Sequence, residues 1–292
     1  MSKSLFKYFG TMPHHLEFTQ TKMIRFSQPG TFNDIFEMRP HFKGITSDSN
    51  IEANKSITAI EIESKKRYKK SDEKAQGKSF GEFKRLHNLN PGYIKAQAQT
   101  LAKSLNVSSA PVFAKHIDDF INQNLGVLCL TERQNNLSMW AHYAECHYGF
   151  VVEFDSTHPF FDQRVSSGDA LRHLRPVQYV TSRPSLAISD LDEDNAASLL
   201  LSKGLDWDKE EEWRMVLPLN QAQTCTIKSP YNINLFLMPD DAFKSITFGR
   251  RMLDTHKQTI LTNLNIANLS HLSIFQAAEH EAHYELVMNK VR

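Results

Sequence analysis

Glu210, Glu212 and Arg214 stand at alternate positions within Trp207-Asp208-Lys209-Glu210-Glu211-Glu212-Trp213-Arg214-Met215-Val216-Leu217-Pro218. Alternate side chains of a strand point the same way. Read as a strand, the segment puts Glu210, Glu212 and Arg214 on one face. Trp213, Met215 and Leu217 share the other, which looks like a core face. Two carboxylates on one face can hold a sugar hydroxyl, steady a developing cation or take a proton from an attacking group. The same pattern also suits a solvated strand edge with a Glu–Arg pair, because exposed charges on strands are common.

Other clusters offer less. Asp34 and Glu37, with Glu210 and Glu212, could hold Mg²⁺ as in a nuclease. His142, Cys146 and His147 lie close in sequence, but a metal there needs a further ligand. Structural histidines and a buried thiol explain the same residues. His280-Glu281-Ala282-His283 lacks the i, i+4 spacing of a zinc-protease helix. No glycine-rich phosphate loop and no Gly-x-Ser-x-Gly elbow is present. Lys65, Lys66, Arg67, Lys69 and Lys70 form a basic run around Tyr68. Such a run is ordinarily the solvated face of a helix; the alternative is contact with a nucleic-acid backbone.

The elements that must position these residues are short and mixed. Strands are expected at Leu5–Phe9, Met23–Ser27, Gly126–Thr131, Tyr148–Phe154, Val177–Val180, Phe243–Gly249, Leu272–Phe275 and Tyr284–Met288. Phe32-Asn33-Asp34-Ile35-Phe36-Glu37 reads as a loop pinned by its aromatic residues. A short helix is expected over Met139–Ala144, capped by Ser138. Further helices are expected over Asp190–Lys203 and Thr255–Leu264, and residues 49–120 read as a basic helical insertion. The pattern is α+β.

The chain has 292 residues, 40% hydrophobic and 23% charged. That is enough to bury a real core. A formal net charge of +1 gives no global pull toward nucleic acid or membrane, so such binding must be local. Cys129, Cys146 and Cys225 have no paired spacing, which suits a reducing compartment. With no apolar leader and no run of transmembrane length, the expected location is the cytoplasm, with no membrane partner.

Four anchors together resemble a bacterial family catalogued only as a domain of unknown function. They are Phe26 to Pro29, Phe32 to Glu37, Met139 to Ala144 followed by Gly149, and Trp207 to Arg214. The order of elements more distantly resembles the ADP-ribosyltransferase fold. That resemblance implies one catalytic domain over residues 1–292, with an α+β core of two small packed, mostly antiparallel sheets and the helical insertion at 49–120. It implies NAD as substrate and no metal. Glu212 would be the catalytic glutamate beside the ribose, and Glu210 would orient or deprotonate the acceptor. Lys7 and Tyr8 would lie on the first strand, and Arg25 and Ser27 on the second. Arg214, Arg25 or Lys7 would meet the pyrophosphate; Tyr8, Tyr143 or Trp140 would stack on nicotinamide.

The resulting expectation is transfer of ADP-ribose to a macromolecule. The basic insertion favours a nucleic acid, RNA foremost; a protein is the other candidate. Bacterial proteins of this resemblance are often toxins or phage-defence effectors, so a neutralising partner such as an antitoxin is expected with it. The competing expectations are a non-catalytic nucleotide or nucleic-acid binding module and a metal-dependent nuclease.

Overall fold

The computed structural model describes residues 3–46, 49–87 and 91–292. The chain begins with β1 (Ser4–Phe9), α1 (Pro13–Thr21), β2 (Met23–Arg25) and β3 (His41–Gly44). Helices follow: α2 (Ser49–Lys69), α3 (Asp72–Ala75), α4 (Phe80–Leu86) and α5 (Pro91–Asn124). Next come β4 (Leu125–Thr131), α6 (Leu137–Tyr143), β5 (Phe150–Asp155), β6 (Arg175–Pro176), β7 (Gln178–Val180) and β8 (Ser185–Ala187). Then come α7 (Glu193–Leu200), β9 (Ser202–Gly204), β10 (Glu212–Pro218), β11 (Thr224–Thr226) and β12 (Ile233–Leu237). The chain closes with β13 (Phe243–Phe248), α8 (Asp254–Ile266), β14 (Ser273–Glu279) and β15 (Leu286–Lys290).

The chain divides into two compact units. One comprises Met1–Arg39, Asp119–Pro184 and Glu193–Arg292; the other comprises Pro40–Asp118 and Ser185–Asp192. The second unit holds the helical segment expected at 49–120, with β3 paired parallel to β8. Its helices are tied locally. Tyr68 packs its ring against Phe80 and Phe83, at 5.3 and 5.5 Å between centroids. Ser79 and Glu82 form a reciprocal cap at the start of α4. Lys65, Lys66, Arg67 and Lys69 lie at the C-terminal end of α2, with Lys70 directly after it. Among the described residues no helix is long and apolar enough to cross a membrane.

The first unit is built on an eight-stranded sheet in the order β15-β14-β13-β5-β1-β4-β10-β6, antiparallel except for β13–β14. A three-stranded sheet, β11-β12-β2, shares its core: Ile24, Phe26, Phe236 and Met238 pack in one cluster with Leu5, Phe9, Leu128, Met215 and Leu217. The architecture is mixed α+β. Among the described residues, one large sheet and three small ones replace the two small sheets expected from the resemblance; β3-β8 and β7-β9 are two-stranded.

The large sheet is nearly parted in the middle. β1 pairs with β5 over six positions, and β10 with β4 over seven, but β1 and β4 pair at a single position, Phe6 with Thr131. Beyond that point the facing backbone groups need other partners, because unpaired buried amides and carbonyls are costly. Ser27 exchanges two backbone hydrogen bonds with Val127, both 2.9 Å. The Lys7 ammonium donates to the Cys129 carbonyl at 3.2 Å. The gap between β1 and β4 is therefore held open and lined with polar groups.

Several expected boundaries move. Asn136, not Ser138, caps α6, its side chain accepting from the Met139 amide at 3.1 Å. α7 ends at Leu200, so Lys203 lies on β9 instead of on a helix. β10 starts at Glu212; Glu210 closes a 3-10 turn and Glu211 is left-handed at φ 43°. Gly149 is required where β5 begins, because only a residue without a Cβ fits there. A Cβ on Gly149 would stand 2.0 Å from the Phe9 carbonyl oxygen.

Candidate functional site

β10 is buried on both faces. Met215 and Leu217 enter the main core, while Val216 packs with Val127, Met38 and Leu200 on the other side. Glu212 and Arg214 share the Val216 side, so they are buried rather than solvated, which corrects the exposed-edge alternative. Ions removed from water are tolerated only when paired. The pairing here is dense.

Arg214 is 0% exposed and binds Glu212 through two nitrogens, Nε to Oε1 at 2.8 Å and Nη2 to Oε2 at 3.1 Å. Its Nη1 donates to the Leu200 carbonyl at 2.9 Å, and Nη2 also meets Glu37. Lys203 sits among three carboxylates: 2.6 Å from Glu210, 2.8 Å from Glu212 and 3.7 Å from Glu37. Its ammonium also lies 5.0 Å from the Trp207 ring centroid. The Tyr143 hydroxyl donates to Glu210 Oε1 at 2.8 Å and accepts from Asn33 at 3.2 Å. Three carboxylates thus meet two cations within this cluster.

The electrostatics follow from burial and pairing. Burial pulls the Lys203 ammonium down, but Glu212 and Glu210 outweigh it and hold it above the usual lysine value. Burial raises the Glu212 carboxyl, opposed by Lys203 and by the Cys129 thiol that donates to it. Burial also raises the Cys129 thiol, with Glu212 adding to the effect. The Tyr143 phenol is raised by burial and by Glu210. Burial lowers Arg214 from its usual value to about 9, against the field of Asp34.

This cluster opens onto the gap between β1 and β4. A cleft of about 180 Å³ is lined there by Lys7, Ser27, Cys129, Tyr143, Lys203, Glu37, Glu210 and Glu212, among apolar neighbours. That is less than the roughly 300–1,000 Å³ of sites that enclose a drug-sized ligand, so it has room for about one ring of a larger molecule.

The expected residues divide into those that reach the cleft and those that do not. Glu210, Glu212, Lys7, Tyr8, Ser27 and Tyr143 line it. Tyr8 is largely committed elsewhere: its hydroxyl donates to the Arg133 carbonyl at 2.7 Å and its ring meets Trp140 edge-on. Arg214 is not among the lining residues, being held by Glu212 and Glu37. Arg25 does not line the cleft either, yet its charge lowers the Lys7 pKa, behind the larger effect of burial. The Arg25 Nε is buried without a hydrogen-bond partner.

Trp140 is a fully buried core anchor whose Nε1 donates to the Gln134 carbonyl at 2.8 Å. His147 stacks on Trp140, and Cys146 is exposed. The His280 Nδ1 accepts from the Ala282 and His283 amides. Among the described residues no group of three His, Cys, Asp or Glu is arranged to hold a metal ion. Of the four carboxylates of the nuclease alternative, three are already bridged by Lys203, and Asp34 instead accepts from the Phe36 amide at 2.9 Å. Lys203 is the residue that sequence reasoning misses. Its one signal is a lysine placed directly after the apolar run Leu199-Leu200-Leu201 and a serine.

Residues 139–215 match the family described as protein of unknown function (DUF2971). Two of the four anchor motifs, Met139 to Ala144 with Gly149 and Trp207 to Arg214, fall inside the matched residues; the two earlier ones lie outside. No curated protein and no solved structure matches the chain.

Proposed function

We propose that the protein breaks the nicotinamide–ribose bond of NAD and transfers ADP-ribose to a macromolecular acceptor. The observation that carries this reading is the carboxylate-rich, charged cleft where the sheet parts. Glu37, Glu210 and Glu212 line it with Lys203, and Lys7, which makes no ion pair among the described residues, lines it as well. As the bond breaks, nicotinamide leaves with the bonding electrons and positive charge builds on the ribose. A nearby carboxylate stabilises that charge. The acceptor then adds to the same carbon and passes its proton to Glu210 or to water.

The geometry favours giving the ribose-cation role expected of Glu212 to Glu210 instead. Glu212 is neutralised by two-point binding to Arg214 and by Lys203. Glu210 faces one cation and a phenol, so it retains more charge for a ribosyl cation. Glu212 then acts by holding Arg214 and Lys203 in place. Lys7 suits the pyrophosphate, whose negative charge would offset the burial and the neighbouring Arg25 charge that lower the lysine's pKa. Tyr143 flanks the ring in the cleft. The basic run on α2 makes nucleic acid, RNA foremost, the favoured acceptor class, with protein second. A toxin or defence role with a neutralising partner belongs to the same reading.

The test is incubation with labelled NAD and a whole-cell extract, followed by separate nuclease and protease digestion. Label in macromolecules that disappears with Glu210→Gln supports the transferase. Label that survives Glu210→Gln at the wild-type level removes Glu210 from the chemistry. A second reading, a non-catalytic nucleotide-binding module, is favoured by the full hydrogen-bonding of Glu212. It predicts bound NAD with no release of nicotinamide.

A further inference from the structure

The loop between β2 and β3 has its polarity inverted. Ile35 is 70% exposed and Phe36 59% exposed, while the adjacent Glu37 is 5% exposed and ion-paired. Buried polar groups and exposed large apolar ones are the informative departures from ordinary burial. The inversion is held in place. The Phe36 amide donates to the Asp34 carboxylate at 2.9 Å, and the Glu37 amide donates to the Asp34 carbonyl at 3.2 Å. Arg183 stacks over the Phe36 ring, its guanidinium carbon 5.8 Å from the centroid, and donates from Nε to the Arg39 carbonyl at 2.9 Å. Phe36 is therefore a positioned ring that still leaves most of its surface to solvent.

The place of this ring gives it a ligand. Phe32, Asn33 and Glu37, from the same short loop, all line the cleft. The cleft holds about one ring, whereas NAD carries two, joined by two riboses and a pyrophosphate. The second ring must lie outside the cleft, and Phe36 stands one residue before Glu37, which lines it. A flat aromatic heterocycle placed on a phenyl face, with an arginine backing that face, gains stacking and cation–π energy together. We infer that Phe36, supported by Arg183, is the platform for the purine of the dinucleotide; this rests on the NAD reading.

The test compares NAD with nicotinamide mononucleotide, which lacks the purine half. Calorimetric titrations use the full-length wild type, Phe36→Ala and Phe36→Trp. Because the Phe36 side chain is exposed, its truncation leaves the core intact. The expected result is roughly tenfold weaker NAD binding by Phe36→Ala, unchanged mononucleotide binding, and wild-type NAD affinity in Phe36→Trp. Equal weakening of both ligands, or of neither, with a wild type that binds both, overturns the platform and leaves the NAD reading intact. A wild type that binds neither ligand overturns both.

Discussion

Two regions of this protein carry concentrated charge and treat it in opposite ways. In the cluster around β9 and β10, Glu37, Glu210, Glu212, Lys203 and Arg214 are buried and joined by ion pairs and hydrogen bonds. On α2, Lys66 is exposed and makes only a loose 3.9 Å pair with Glu63, and Lys65, Arg67, Lys69 and Lys70 crowd the same helix end. Buried ions cannot lose a partner without leaving an uncompensated charge, whereas water compensates exposed ones. The same residue types are thus a constraint in one place and a free surface in the other. The constrained set is the one that borders a cleft.

The largest expected effect is at Arg214. Arg214→Leu leaves Glu212 and Glu37 without their shared cation. It should destabilise the fold by about 3–5 kcal/mol, read by chemical denaturation. A loss below about 1 kcal/mol would mean that the cluster is wetter than its geometry indicates. Tyr143→Phe removes one hydrogen bond to a carboxylate. It should destabilise by about 1.5–3 kcal/mol in the same assay. No change would show that Glu210 is not held by the phenol.

A buried group without a partner sharpens the contrast. Burial, with the charge of His14 adding, pulls His15 down from 6.5 to about 4, and its Nδ1 is buried with no hydrogen-bond partner. A depressed pKa means that the folded state resists protonation. The stability contribution is therefore whole above pH 6.5 and is lost as the pH falls from 6.5 toward 4. Denaturation curves across that range should show a shallower loss for His15→Phe than for wild type; identical slopes would contradict the assignment. The smallest effect is on α2. Lys66→Ala with Lys69→Ala should change stability by no more than about 0.5 kcal/mol per site. If these residues grip a nucleic-acid backbone, the same pair of changes weakens that binding and flattens its dependence on salt.

Local patterning makes much of this legible. The strands at β1, β4, β5, β10 and β13 follow from short apolar runs bounded by turn residues, and the aromatic anchors Phe26 and Trp140 follow from composition. Glu210 and Glu212 stand out by type and spacing. The reason they converge is not legible. A strand spanning both would place them on one face; instead the left-handed Glu211 lets a 3-10 turn deliver Glu210 to the end of the strand. Lys203 is hidden because Glu193 to Lys203 has helical composition. Only pairing with β7, from well upstream in the chain, draws Ser202 to Gly204 into a strand. The parting of the sheet between β1 and β4 depends on register between segments far apart in sequence, which no local pattern encodes.

The cleft carboxylates are proposed to act on the glycosidic bond of NAD. The most direct measurement is the rate of nicotinamide release from NAD by purified protein, wild type beside Glu210→Gln, with folding of both checked by circular dichroism. Release by the wild type is expected, with at least a roughly hundredfold slower release by the folded variant, on the order of the loss expected when one stabilising group is removed. NAD bound by the wild type with no release, or equal release by both proteins, would contradict this role.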